Sequence, residues 1–273
     1  MKHILSISAI VFLFTLWGCE EDVVLKLGQI EKRMVVEANV SNLKPVTKVV
    51  LSYSKSFYDT LSFNLISDAD VEISTGSGIS EKLTWSPFGY YYSKTITPVA
   101  GESYTLKILN GDQQVEATTT MPSLVKIKQV LQVPNPFYEN NDSINLFVYV
   151  DDPKGEDDFF RLKIYRYGTV PSSEYFLMDD SFGKDGVITM PVYYKNFALG
   201  DTVVVELYHL TKDMYEYYNG LSDNISGSFN SIAPGNPVSN MPDEVYGYFT
   251  AFAVDCDTVV VGAIPKNYRN NNP

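Results

Sequence analysis

Short runs of β-forming residues, separated by turn residues and almost never by helical patterns, most constrain the fold of this chain. In residues 104–108, for example, Tyr104, Leu106 and Ile108 fall on one face at period two, while polar residues take the other face. Asn110-Gly111 follows this run and is a strong signal for a tight hairpin. Regularly spaced strands of this kind predict β-sandwiches.

A proline divides the series of predicted strands in two. Met121-Pro122-Ser123 interrupts the pattern because proline cannot donate a hydrogen bond within a sheet. We therefore predict an all-β fold with two immunoglobulin-like β-sandwich domains, an N-terminal one at residues 31–121 and a C-terminal one at residues 122–273. The last two strands are expected at residues 245–252 and 258–261.

One segment of the second domain departs from the β pattern. Across residues 211–221 the apolar residues recur at helical spacing, so we predict a short inserted helix that Thr211 caps and Gly220 helps to end. The segment is too aromatic for a helix that is solvated all round. We expect Tyr215 to remain the more exposed aromatic residue. The residues expected to pack on the sandwich are Met214, Tyr217, Tyr218 and Leu221.

A long polar loop follows this helix at residues 226–241. Long loops carry function more often than the strands that they connect. Phe229, Ile232 and Val238 stand within the polar sequence of the loop and, together with Tyr215, form a candidate partner interface. The alternative is a well-packed cap that closes an open end of the sandwich.

The N-terminal residues are typical of a lipoprotein signal peptide. A short basic start precedes an apolar run that ends at Gly18-Cys19, and acidic residues follow at once. The run is too short for a stable membrane span. We predict a signal peptide at residues 1–18, a lipid on Cys19 and a tether at residues 19–30. The alternative is an ordinary secretory signal with an incidental cysteine.

The chain is acidic, with a formal net charge of −12. Nucleic-acid binding depends on clustered lysine and arginine, so this balance argues against a nucleic-acid partner. The same charge disfavours binding along an anionic membrane surface. An acidic surface instead suits the solubility of an exported domain.

Few residues are suited to catalysis or to metal binding. Outside the signal peptide, His209 and the thiols of Cys19 and Cys256 cannot make a His/Cys zinc site. The acidic segments 151–158 and 179–186 lack the spacing of a calcium loop, so we predict solvated turns there. We expect His209 to pack or to cap the helix, and Cys256 to be a buried structural thiol. We predict no enzyme, no cofactor and no metal site, although sequence alone does not exclude a glycosidase-like carboxylate pair.

Tyrosine is abundant and clustered, with 20 residues in the chain. Consecutive residues of a strand point to opposite faces, so one tyrosine of each adjacent pair must leave the core. Packing at the border of the sandwich, a protein interface and a sugar-stacking platform all remain open. For a ligand-binding module we expect one exposed aromatic face, formed by Trp85, Tyr90, Tyr92, Tyr193 and Tyr194.

Four groups of residues stand in an order that a known family also has. They are Arg33-Met34-Val35-Val36-Glu37-Ala38; residues 67–73 with Gly89-Tyr90-Tyr91 and residues 101–106; the tyrosine-bearing helix after His209; and Pro237-Val238-Ser239-Asn240 with residues 247–251. In this order the chain resembles a family of outer-membrane lipoproteins from Bacteroidota, domain-of-unknown-function family 4249. The resemblance covers nearly all of the sequence after the signal peptide. It implies paired β-sandwiches at the cell surface, often encoded near TonB-dependent transporters, and implies no known reaction.

Two further resemblances concern export. Glu20-Glu21-Asp22, directly after Cys19, is similar to acidic export signals of lipoproteins in this phylum, which implies display on the extracellular side of the outer membrane. A recurring Asp-Ser/Thr-aliphatic pattern resembles the O-glycosylation acceptor of exported Bacteroidota proteins. Because the same pattern is how a turn enters a strand, both interpretations stay open. The candidate acceptors are Thr60, Ser143, Thr202 and Thr258.

Two hypotheses of function follow. In the first, the chain is a cell-surface lipoprotein, held in the outer membrane by its lipid, that serves as a non-catalytic accessory subunit of an outer-membrane β-barrel complex. That complex would act in TonB-dependent transport or in outer-membrane assembly or secretion. In the second, the chain is an extracellular binding module for a glycan or a peptide.

Overall fold

The computed structural model describes residues 32–55, 64–134, 144–152, 157–171, 175–184, 186–226 and 235–263. The predicted signal peptide, Cys19 and the tether lie outside these ranges. The described strands are β1 (Met34–Ser41), β2 (Thr47–Tyr53), β3 (Asp70–Thr75), β4 (Ser80–Lys82), β5 (Thr84–Ser86), β6 (Tyr90–Tyr92), β7 (Ser103–Asn110), β8 (Gln113–Thr120), β9 (Ile127–Pro134), β10 (Ile144–Asp151), β11 (Phe159–Arg166), β12 (Phe176–Asp179), β13 (Gly183–Lys184), β14 (Val187–Phe197), β15 (Thr202–Leu210) and β16 (Tyr246–Val260). Within the described ranges there is one α-helix, α1 (Lys212–Ser226), which lies between β15 and β16 in the sequence.

The strands form one eight-stranded sheet and two four-stranded sheets. The large sheet has the order β12-β11-β15-β16-β1-β2-β6-β5, and the small sheets have the orders β4-β3-β7-β8 and β13-β14-β10-β9. Strand β16 joins the two halves of the large sheet. Its residues 246–252 pair in parallel with β1, and its residues 252–260 pair antiparallel with β15. We call the large sheet the shared sheet, because it contains strands from both predicted domains.

Two hydrophobic cores lie on one face of the shared sheet, the inner face. The first core packs β3, β7 and β8 against β1, β2 and the first part of β16, through residues such as Val36 and Leu106. The second core packs β10 and β14 against β11 and β15, through residues such as Leu146 and Phe160. The prediction of an all-β fold with two sandwiches is confirmed.

The boundary predicted between residues 121 and 122 separates the residues of the two cores, except for five residues within 241–253. Met241, Val245, Phe249, Ala251 and Ala253 come late in the sequence, yet they belong to the first core. The first sandwich therefore takes one of its strands from the far end of the chain.

The residues just before β16 stabilise its first half through side chains. Asn240 Nδ2 donates to the carbonyl oxygen of Phe249 at 2.6 Å, and Phe249 N donates back to Asn240 Oδ1 at 3.1 Å. Ser239 Oγ also donates to the carbonyl oxygen of Gly247, at 2.5 Å. The amide of Asn240 thus binds the backbone of β16 as a neighbouring strand would.

Helix α1 begins as predicted but ends later. Met214 N donates to Thr211 Oγ1 at 3.4 Å, which confirms Thr211 as the N-cap. The predicted end near residue 221 is wrong, because the helix continues to Ser226. Gly220 lies inside the helix, where an added Cβ would stand 3.1 Å from Cα of Pro237. This glycine permits close packing rather than ending the helix. None of the described segments forms a helix of the length and apolarity that membrane crossing requires.

Candidate functional site: a tyrosine-lined pocket

A cavity of about 640 Å³ lies on the outer face of the shared sheet, beside α1. Such a volume is within the range of small-molecule sites in proteins. Five strands of the shared sheet (β1, β2, β11, β15 and β16), the turn after β1, the residue before β12 and α1 contribute its walls. The lining residues are Glu37, Asn39, Ser41, Leu43, Lys44, Pro45, Lys48, Arg161, Lys163, Tyr175, Tyr208, Tyr217, Tyr218, Leu221, Tyr248 and Phe252.

The period of two along each strand explains why these side chains meet on the outer face. In β11, Phe160, Leu162 and Ile164 enter the second core, so Arg161 and Lys163 point to the opposite face. The same alternation holds in β1, β15 and β16. The polar residues that alternate with apolar ones along these strands therefore lie together on the outer face.

The helix contributes the aromatic wall of the pocket. Met214 and Tyr218 are buried against the outer face, and Tyr217 and Leu221 pack beside them, as predicted. Tyr215 is only half-buried and is therefore more exposed than Met214 and Tyr218, as predicted. Its ring packs on Phe159 with a centroid separation of 5.0 Å, because Phe159 ends on the same outer face.

Arg161 is the most unusual residue of the pocket. Its side chain is only 8% exposed, and its guanidinium carbon lies 4.4 Å and 4.6 Å from the ring centroids of Tyr175 and Tyr218. Both rings offer cation–π stabilisation. Among the described residues, Arg161 Nε has no hydrogen-bond acceptor.

Lys163 lies next to Arg161 and belongs to a hydrogen-bonded chain. Its Nζ donates to the phenolic oxygen of Tyr208 at 3.0 Å, and Tyr208 donates to Glu206 Oε2 at 2.7 Å. Burial, reinforced by the positive charge of Arg161 and opposed by Glu206, lowers the pKa of Lys163 to about 8. Lys163 therefore stays mostly protonated at neutral pH.

Burial also acts on the tyrosines of the pocket. It raises the pKa of Tyr217 to about 12, with smaller contributions from Glu37 and neighbouring phenols. It raises the pKa of Tyr248 and of Tyr208 well above the ordinary value. These phenols are neutral hydrogen-bonding groups at any physiological pH.

His209 is buried in a structural role. The ring is 5% exposed and stacks on Phe160 at 5.2 Å. Nε2 lies 2.9 Å from Asp158 Oδ1, and Nδ1 lies 2.8 Å from the carbonyl oxygen of Ser123. Burial raises the pKa of Asp158, against the lowering effect of His209. Both ring nitrogens have polar partners, so the predicted packing role is confirmed. Through these contacts His209 connects Asp158, the residue before β11, to Ser123 in the linker between the two sandwiches.

The expectation of a buried Cys256 is wrong. The thiol is free and exposed, because Cys256 has the same parity in β16 as the outer-face residues and lies opposite Glu206. Partial burial, with the charges of Glu206 and Asp255, raises the pKa of this thiol. A thiol with a raised pKa is a poor nucleophile. The described residues also contain no group of three His, Cys, Asp or Glu side chains placed to hold a metal ion.

The predicted exposed aromatic face does not form as expected. Trp85 pairs with Tyr91 across β5 and β6, so both rings point to the inner face, where they meet edge to face at 4.9 Å. Tyr90 and Tyr92 point to the outer face, where their ring centroids are 6.3 Å apart. The side chains of Tyr193 and Tyr194 lie outside the described residues.

The other predicted site residues are dispersed. Val238 is 73% exposed, whereas Phe229 and Ile232 lie outside the described residues. Thr60 and Ser143 also lie outside them. Thr202 is half-buried after Asp201, which accepts from Arg166 Nε at 2.6 Å and from Ala198 N at 2.9 Å, as the turn interpretation expects. Thr258 is exposed within β16, where no turn requires its motif.

Sequence reasoning missed Arg161, Lys163, Tyr175 and Tyr208. A signal was present in β11, where charged residues alternate with apolar ones at period two. That pattern ordinarily indicates a solvated face. This face lines a pocket only because α1 packs over it.

Comparison with known proteins gives a family match and distant structural likenesses, two of which follow. The family model described as "Domain of unknown function (DUF4249)" matches residues 20–257. A search of curated proteins found no match. A two-domain fibronectin type-III segment of chicken tenascin is 12% identical, over 66% of this chain and 91% of that chain, with a TM-score of 0.22. A chain of a cytokine receptor complex is 9% identical, over 85% of this chain and 98% of that chain, with a TM-score of 0.27.

Proposed function

The chain belongs to the DUF4249 family, and on that premise we propose that it is a lipid-anchored protein of the outer membrane that faces the extracellular side. It acts there without catalysis, as an accessory subunit of a β-barrel complex for TonB-dependent transport or for outer-membrane assembly or secretion. The observation that carries this proposal is the N-terminal sequence, in which an apolar run ends at Gly18-Cys19 and the acids Glu20-Glu21-Asp22 follow.

The arrangement of the described residues supports a binding role over a catalytic one. The ring nitrogens of His209 contact Asp158 and the backbone of Ser123, and the thiol of Cys256 has a raised pKa. A shared sheet that is continuous across both sandwiches gives a fixed spacing between their far ends. Such a rigid, lipid-tethered body suits a subunit that docks on a partner in the same membrane.

A second candidate function is ligand binding, and one specific observation favours it. The pocket on the outer face combines a suitable volume, aromatic walls and a buried arginine, which is the usual composition of a small-molecule site. The ligand would be an extracellular glycan or peptide. The two functions are compatible, because an accessory subunit can hold a ligand for its barrel.

Replacing Cys19 with alanine tests the anchor. The variant is expected to lose palmitate labelling and to leave the membrane fraction, because no thiol remains to accept the diacylglycerol. Cys256→Ala is the matched control: it removes the other cysteine, whose thiol is exposed on β16, and both properties should persist. Normal labelling of Cys19→Ala would contradict the anchor. Protease added to intact cells should degrade the wild-type protein, and full protection would contradict the extracellular orientation.

A further inference from the structure

We propose that the pocket on the outer face of the shared sheet binds the carboxylate of an acidic saccharide, such as a uronic acid, through Arg161 and Lys163. The inference rests on the second candidate function, ligand binding, and names its chemistry. Binding of the saccharide does not depend on association with a β-barrel. The binding proposal and the proposed accessory role can therefore fail independently.

The first argument is the state of Arg161. Buried charges in proteins are normally paired, because a charge without a partner in a low-dielectric interior costs several kcal/mol. The ion pairs of the described residues include none with Arg161, and its Nε has no acceptor among them. The rings of Tyr175 and Tyr218, whose centroids are 4.9 Å apart, pack against the guanidinium from the same side and restrict its motion. A group held in this way is preorganised to donate through its edge to a planar carboxylate.

The second argument is the local charge. Lys44, Lys48, Arg161 and Lys163 line the pocket, and Glu37 is the one acid among its described lining residues. This excess of positive charge stands out on a chain with a net charge of −12. Lys163 contributes its charge at neutral pH, since its pKa of about 8 lies above 7. An anionic group would be attracted here and repelled from most of the surrounding surface.

The third argument concerns the kind of ligand. The floor of the pocket consists of β11, β15, β16 and β1, which are interior strands of the shared sheet. Strands β1 and β15 pair on both sides. The first half of β16 pairs with β1 on one side and is bound by the side chains of Ser239 and Asn240 on the other. A peptide that adds a strand needs a free sheet edge, which this floor does not offer. Recognition must come from side chains instead. Tyrosine rings and phenolic hydroxyls, together with cations, suit a ligand that carries many hydroxyls and one carboxylate.

The test is binding of defined probes to the full-length lipidated protein in mild detergent, by titration calorimetry. The probes are oligosaccharides of glucuronic and galacturonic acid, their methyl esters, and an acidic peptide of similar charge. The proposal predicts binding of at least one free acid and at least tenfold weaker binding of its ester, which lacks the negative charge. Equal binding of acid and ester, binding of the peptide alone, or binding of no probe would overturn it.

Variants assign the binding to the pocket. Arg161→Gln and Lys163→Gln should each weaken binding of the acid about tenfold or more, while leaving the weak binding of the ester unchanged. Lys48→Gln changes an exposed residue at the rim and should weaken it about threefold without affecting the fold. The matched control is Lys82→Gln, which removes an exposed lysine on β4 that pairs with Asp70. If Lys82→Gln weakened binding as much as Lys48→Gln, or if Lys48→Gln and Lys163→Gln both bound normally, the proposal would be wrong.

Discussion

Replacing Gly247 with alanine is expected to destabilise the protein by about 4 kcal/mol or more, or to prevent folding. Gly247 lies opposite Val36 where β16 pairs in parallel with β1. Its φ is +107°, a conformation that strains any residue with a side chain, and an added Cβ would stand 1.9 Å from the carbonyl oxygen of Val36. The clash can be relieved only if the two strands separate, which would open the first core.

Denaturant unfolding of the purified variant measures this effect. Gly235→Ala is the matched control, because an added Cβ there meets nothing within 4 Å and its φ is ordinary. The control should unfold within about 0.5 kcal/mol of the wild type. Wild-type stability of Gly247→Ala would mean that β16 does not pair with β1 at this register, and the shared sheet would then be wrong.

The second large effect is expected at the buried pair of Asp158 and His209. Asp158→Ala should lower the free energy of unfolding by about 3–5 kcal/mol, because it leaves a buried imidazole without its partner. The double variant with His209→Ala should cost less than the sum of the two single variants, since the two side chains interact directly.

The neighbouring acid provides the control for this pair. Asp157 is exposed, and Asp157→Ala should change stability by no more than about 0.5 kcal/mol. Thermal and denaturant unfolding is measured for the wild type, for Asp158→Ala, for His209→Ala and for their double variant, with Asp157→Ala as the control. Strictly additive effects of Asp158→Ala and His209→Ala would contradict the direct contact between the two side chains.

Local patterns were enough to predict the strands, the position of the helix and its cap. Alternation in residues 104–108 and the helical spacing around Met214 and Tyr218 depend on neighbours in sequence, and the structure has both. The end of the strand series is an exception. The prediction of two strands, at residues 245–252 and 258–261, is wrong, because the structure has one strand, β16, in which Cys256 pairs with Glu206 of β15.

The pocket could not be predicted in the same way, because it depends on pairings between distant parts of the chain. Val36 and Gly247 are neighbours across a parallel ladder although more than two hundred residues separate them. Which face of β11 is covered depends on where α1 packs, and no local pattern specifies that. Arg161 and Lys163 look like solvated strand residues until Tyr175 and Tyr218 are placed around them.

Purification from native membranes in mild detergent tests the proposed function most directly. The account predicts that the wild-type protein, carrying a small C-terminal tag, is recovered with a stoichiometric outer-membrane β-barrel protein, identified by mass spectrometry. Cys19→Ala is the control, and it should be recovered from the soluble fraction with that partner depleted, because tethering raises the effective concentration of the two proteins. Recovery of the wild-type protein as a lone monomer in several detergents would contradict the account.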